Sequence, residues 1–155
     1  MSGPLTVRPI GRVVGGRADA VDDRWDTVAA TIELDPAVVE AAATDGLAEF
    51  SHVEVVFCFD RVDEDAVCRG ARHPRGRTEW PSVGILAQRA RDRPNRIGVT
   101  VCRLTGVGPH RIDVVGLDAV DGTPVLDVKP YVAEFGPRGA LRQPAWSTEL
   151  MSDYW

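Results

Sequence analysis

IGVTVCRLTGVGPHRIDVVGL, residues 97–117, decides the fold class. Val, Ile and Thr dominate both halves, and the middle carries Gly106, Gly108 and Pro109. Such composition on either side of a Gly/Pro break predicts a strand over Ile97 to Leu104, a turn at Gly106 to Pro109, and a second strand over Arg111 to Leu117. The two strands are joined without a helix, so they pair antiparallel.

Working outward, the same pattern recurs. Leu5 to Val14 reads as a first strand ended by Gly15-Gly16, and Thr27 to Leu34 alternates as a second. Val53 to Phe59, rich in Val and Phe, is the strongest strand. Val83 to Ala87 and Val125 to Val128 are shorter ones, the latter after the turn signal Asp121-Gly122-Thr123-Pro124. Asp35-Pro36 is a helix start, an N-cap acid before proline, and predicts a short helix over Ala37 to Ala43. Residues 61–81 are irregular, and 133–155 read as an extended aromatic tail. Long helices alternating with strands are absent, which argues against a doubly wound sheet. Closure removes the edges of so many short strands. The expected fold is mainly β: a small, mostly antiparallel β-barrel with one short helix and long loops, forming a single domain over 1–155 with 133–155 as its tail.

At 155 residues, 44% apolar and 26% charged, the chain has the balance of an ordinary globular domain. No apolar run approaches the roughly 18 residues of a membrane span, and the N-terminus lacks a signal-peptide pattern, so no membrane role is expected. Cys58, Cys68 and Cys102 are odd in number and form no C-x-x-C pair. They read as reduced thiols of a cytoplasmic protein. His52, His73 and His110 are too scattered for a metal site, and no dinucleotide, P-loop or nucleophile-elbow motif is present. The net charge of −5 argues against a protein that coats nucleic acid.

The charge is unevenly placed. Residues 19–65 hold fourteen acids against Arg24 and Arg61, whereas 69–96 hold eight arginines against Glu79 and Asp92. That asymmetry suggests a local anionic partner. The loop between Ala87 and Ile97 carries Arg89, Arg91, Arg93 and Arg96, shaped by Pro94 and Asn95. Upstream, Arg72-His73-Pro74-Arg75-Gly76-Arg77 is a compact basic loop. Arginine forks match carboxylates and phosphates, so both loops read as anion clamps or as solvated loops. A second constellation holds Asp118, Asp121 and Asp127, with Asp127 and Lys129 on one strand face.

Three stretches, FSHVEVVFCF (50–59), SVGILAQRARDRPNRIGVTV (82–101) and VVGLDAVDGTPVLDVKPYV (114–132), resemble the TrmO/TsaA-like family in content and order. The resemblance covers about residues 5–135 and implies a small β-barrel, S-adenosylmethionine as cofactor, and a homodimer with the cofactor near the subunit interface. It implies methylation of N6 of threonylcarbamoyladenosine beside the tRNA anticodon. By position, the resemblance carries cofactor contact to Asp60, Arg61, Arg89, Val99, Leu117, Asp118, Ala119 and Val120, with an N-terminal loop around Arg24 and Trp25. It matches Arg72 and Arg75 to the family's basic, substrate-side loop and makes Arg93 and Asn95 positions that shape the active site; with Lys129, which could orient polar groups near a ligand, these are the expected substrate-binding residues. Asp118, Asp121, His73 and Tyr131 stand as candidates for a catalytic base or polarising group. Methylation of a small metabolite by the same barrel, and a non-catalytic barrel that binds nucleotide or RNA, remain alternatives.

Overall fold

A computed structural model describes residues 3–155. Eight strands form in chain order: β1 Gly11–Gly15, β2 Ala29–Leu34, β3 His52–Cys58, β4 Ala71–Arg72, β5 Val83–Gly84, β6 Ile97–Gly108, β7 Arg111–Val115 and β8 Pro124–Pro130. Six of them close into a barrel in the order β1-β2-β7-β6-β3-β8, every pairing antiparallel, while β4 and β5 form a separate two-stranded ribbon. The expected barrel is therefore the observed one.

Alternation places one face of each strand inside. Val53, Val55 and Phe57 of β3, Ile112 and Val114 of β7, and Ile32 and Leu34 of β2 meet in the core with Val13 and Val125. Burying each such side chain contributes about 1.5–3 kcal/mol. Gly98 of β6 is packed tightly against the core: a Cβ there would lie 2.5 Å from the Phe57 ring. Register shifts at Leu104/Gly106 and at Val56/Phe57 bend the strands and help the sheet to close.

Four elements depart from the sequence reading. The Asp35 cap forms, its carboxylate accepting from the Ala37 N–H at 2.8 Å. The helix it should start does not propagate: Val38 and Val39 are β-branched, Glu40 is extended, and only a short 3₁₀ turn, Ala41–Thr44, follows. The Val83 to Ala87 strand is cut to two residues and continues as a 3₁₀ turn. Residues 5–10 stay outside β1. The one α-helix, α1 Ala145–Leu150, lies in the segment read as an extended tail.

Four links of the chain gather at one end of the barrel. Antiparallel order brings the ends of β1, β3 and β7 and the starts of β2, β6 and β8 to the same rim. The loop 17–28, the turn after β3, the arginine loop before β6 and the segment 116–123 all open there.

Candidate functional site

The site begins with an offset between strands. β7 pairs with β6 only from Arg103 to Gly108, whereas β3 pairs with it from Ile97 to Arg103. Residues 97–102 of β6 therefore have a strand on one side alone. Successive residues of an antiparallel strand aim their backbone groups to opposite sides. The Arg96 carbonyl accepts from the Phe59 N–H on the β3 side at 2.8 Å. The Val99 carbonyl points the other way and accepts from the Arg89 guanidinium at 2.7 Å.

The segment that follows β7 lies across this open edge. Leu117, Ala119 and Val120 are buried. The N–H and C=O groups of residues 117–119 find no hydrogen-bond partner among the described residues. Buried backbone groups without partners are costly and rare, and a ligand's donors and acceptors can satisfy them. Between the open edge and this segment stands Asp118. Its carboxylate accepts from the Thr100 hydroxyl of β6 on one oxygen and from the Tyr154 hydroxyl on the other. Burial, then the Asp118 charge, holds the Tyr154 phenol well above the usual tyrosine range, while Arg89 and Arg75 act in the opposite sense from nearby. Burial, with Asp118 adding, also pushes the Cys102 thiol up to about 12, which makes it an inert core thiol.

Two further loops are stapled to the same place. Arg61 donates to the Ala18 and Asp121 carbonyls, each at 2.7 Å. Asp121 in turn accepts from the Gly15 N–H at 2.8 Å. Trp25 is buried under the Arg17 guanidinium, 4.5 Å from its ring centre, and Arg17 also donates to the Asp23 carbonyl at 2.7 Å. The structure thus brings together Arg61, Arg89, Val99, Leu117, Asp118, Ala119 and Val120, with the loop around Arg24 and Trp25 beside them. Asp60 is adjacent but exposed, its side chain without a partner among the described residues.

The basic residues are spent differently from the sequence reading. Arg72 forks onto Asp92, Arg75 onto Asp23, and Arg93 donates to the Gln88 carbonyl at 2.6 Å. Gln88, buried, donates to the carbonyls of Arg72 and Val83, so it ties the two basic loops together. Asn95 takes a left-handed backbone that suits its short polar side chain. Arg96 shares that conformation and, rather than being solvated, bonds the Val62 carbonyl and Glu64.

The four candidate bases are not gathered. His73 binds the Trp80 carbonyl at 2.6 Å within its own loop. Tyr131 follows the far end of β8, seven residues from the turn that holds Asp121, a separation of about 20 Å. Lys129 sits near Tyr131 and pairs with Asp127, which raises the ammonium's affinity for its proton. Only Asp118 is inside the site. Thr100 and Tyr154 are the residues at this candidate site that the sequence did not single out. The inward phase of β6 marks Thr100 as a polar residue in an apolar row, a usable signal; nothing local marks Tyr154. Among the described residues no group of His, Cys, Asp and Glu is arranged to hold a metal ion, and no helix is long and apolar enough to cross a membrane.

Residues 22–136 match the family model described as the tRNA-methyltransferase O N-terminal domain. A putative S-adenosylmethionine-dependent methyltransferase of Pseudomonas aeruginosa, RcsF, is 45% identical over 103 residues, covering 66% of this chain and 44% of the relative. The human tRNA (adenine(37)-N6)-methyltransferase is 36% identical over 108 residues, 70% of this chain and 24% of that protein. The crystal structure of TrmO from P. aeruginosa superimposes with a TM-score of 0.72 at 31% identity, over 90% of this chain and 62% of that one. The chain therefore spans less than half the length of those two sequence relatives.

Proposed function

Because the chain belongs to the tRNA-methyltransferase O N-terminal domain family, we propose that it is an S-adenosylmethionine-dependent methyltransferase whose acceptor is N6 of threonylcarbamoyladenosine in tRNA. The observation that carries this reading is the open edge of β6 facing the unpartnered backbone of 117–119, flanked by the buried Leu117 and Ala119, with Asp118 between them. These residues fit the cofactor. The backbone groups suit the edge of an adenine, the apolar wall of Leu117, Ala119 and Val120 suits its faces, and Asp118 suits a cation or an N–H donor. Arg89, Val99, Asp60 and Arg61 complete the set. The cofactor supplies an activated sulfonium methyl, so the protein's task is chiefly alignment and exclusion of water. Asp118 is the carboxylate placed to hold a donor or accept a proton there. His73 is bonded within its own loop, Tyr131 lies beyond the far end of β8, and the Asp121 carboxylate is taken by the Gly15 N–H, so the three are lesser candidates.

A homodimer is part of the proposal. The outward face of β6 is apolar and exposed at Ile97, Val99 and Val101, beside the site, and desolvated apolar strand faces are what dimers cover. A cytoplasmic location, with the three cysteines free, accords with a tRNA acceptor. The acid-bonded forks of Arg72 and Arg75 favour a second reading, a small-molecule acceptor, since fewer cations are left for a polyanion.

Methyl transfer from labelled S-adenosylmethionine to bulk tRNA of a strain lacking the enzyme tests the acceptor. The expected result is label in a modified adenosine upon nuclease digestion. Cofactor binding without label in tRNA would overturn the tRNA reading and leave the small-molecule one standing.

A further inference from the structure

The chain's last residues reach back into the site. The Trp25 N–H donates to the Tyr154 carbonyl at 2.8 Å and the Arg24 N–H to the Asp153 carbonyl at 2.9 Å. α1 is pinned by the Trp80 indole N–H, which donates to Glu149 at 2.9 Å. Tyr154 is half-buried and meets Trp155 edge to face with ring centres 4.9 Å apart. Three separate anchors thus deliver one phenolic hydroxyl to one oxygen of Asp118.

The other Asp118 oxygen is held by Thr100, from the barrel wall. Two hydroxyls on opposite oxygens fix the plane and direction of a carboxylate that would otherwise rotate. Each carboxylate oxygen has two acceptor positions, so Asp118 keeps capacity for another donor. Thr100 belongs to the barrel; Tyr154 reaches the same group from a segment outside the matched residues 22–136.

We propose that Tyr154 is a positioning residue for cofactor binding: it locks the Asp118 carboxylate in the direction in which it accepts from the cationic or N–H groups of S-adenosylmethionine. This rests on the methyltransferase reading. Tyr154 touches Asp118 and acts through it. Fixing one side chain before binding spares its ordering cost on binding, which corresponds to about a five- to tenfold change in affinity.

Calorimetry of the full chain with S-adenosylmethionine tests this on the parent, Tyr154→Phe, Asp118→Asn and the double variant. Tyr154→Phe is expected to weaken binding about five- to tenfold without lowering the melting temperature by more than about 2 °C. In the Asp118→Asn background the same change is expected to cost nothing further, a coupling that a merely structural tyrosine would not produce. An unchanged affinity, or an equal loss in both backgrounds, overturns the proposal while the methyltransferase reading stands. A parent chain that does not bind the cofactor overturns both. A spectroscopic titration in Tyr131→Phe, which leaves Tyr154 as the one tyrosine, reads the contact without cofactor. The phenolate is expected to appear later than the roughly pH 10 of a free tyrosine. Ionisation at that ordinary pH would mean the hydroxyl is not on Asp118, and the proposal falls.

Discussion

At the scale of single residues, the arginines of 69–96 are mostly internal fasteners. Seven of the eight bond an acid or a carbonyl of this chain; Arg91 alone makes no such bond among the described residues. Arg72 and Arg75 are the most committed, since both terminal nitrogens of each meet one carboxylate and none of the four side chains is more than 36% exposed. Losing a paired, charge-assisted contact of that kind costs about 1–3 kcal/mol. Arg72→Ala is expected to lower the urea midpoint accordingly, with Arg91→Ala leaving it unchanged; equal midpoints for the two variants would contradict the fastener role. The sequence left an anion clamp and a solvated loop as the two readings because composition counts charges without their partners. Asp92 lies 20 residues from Arg72, and Asp23 lies 52 from Arg75. No local pattern connects such pairs, and the same holds for Tyr154 and Asp118, 36 residues apart.

At the scale of elements, what was legible is what period and composition specify. β3 is found within one residue because its apolar alternation is strong and both its neighbours are strands. β4 and β5, two residues each, are held by Gln88 and the basic loops rather than by a pattern, so the apolar run Val83 to Ala87 does not continue as a strand. α1, with six residues after Pro144, is shorter than two helical turns and too short for a helical period to register. β6 combines a legible strand with an illegible constraint. Gly98 looks like a weak point in a strand, yet the Phe57 ring fills the place of its side chain. Phe57 is buried and cannot withdraw. Gly98→Ala is expected to destabilise the barrel by about 1–3 kcal/mol through overpacking, and Phe57→Leu in the same chain to recover part of that loss. Chemical denaturation of both single variants and the pair gives the cycle; additive losses would show that the ring is not what the methyl meets.

At the scale of the whole molecule, barrel closure explains both where the site lies and which surface remains to be covered. The barrel was legible because six amphipathic strands need one shared interior. The site was half legible: the segment 117–120 and Arg89 were placed by resemblance, but the gap between them comes from the offset of β7 against β6, which no single strand encodes. Beside that open edge, the outward face of β6 carries an apolar row. Ile97, Val99 and Val101 are exposed at 41%, 36% and 40%, in one row on alternate residues, and Leu86, in the turn before the arginine loop, is exposed at 80%. A charged or β-bulged strand would guard against association, and this row has no charge before Arg103. If a second copy covers the row, Ile97→Asp with Val101→Asp puts two unpaired charges into the interface and should convert the dimer to a monomer. Both positions face outward, so the core is untouched and the thermal transition of the monomer should remain cooperative. Sedimentation equilibrium at tens of micromolar protein decides the matter. A parent chain that sediments as a monomer, or a variant that remains a dimer, would move the interface elsewhere on the barrel. A dimer dissolved by these two charges with weakened cofactor binding would tie the open edge of β6 to the partner's surface.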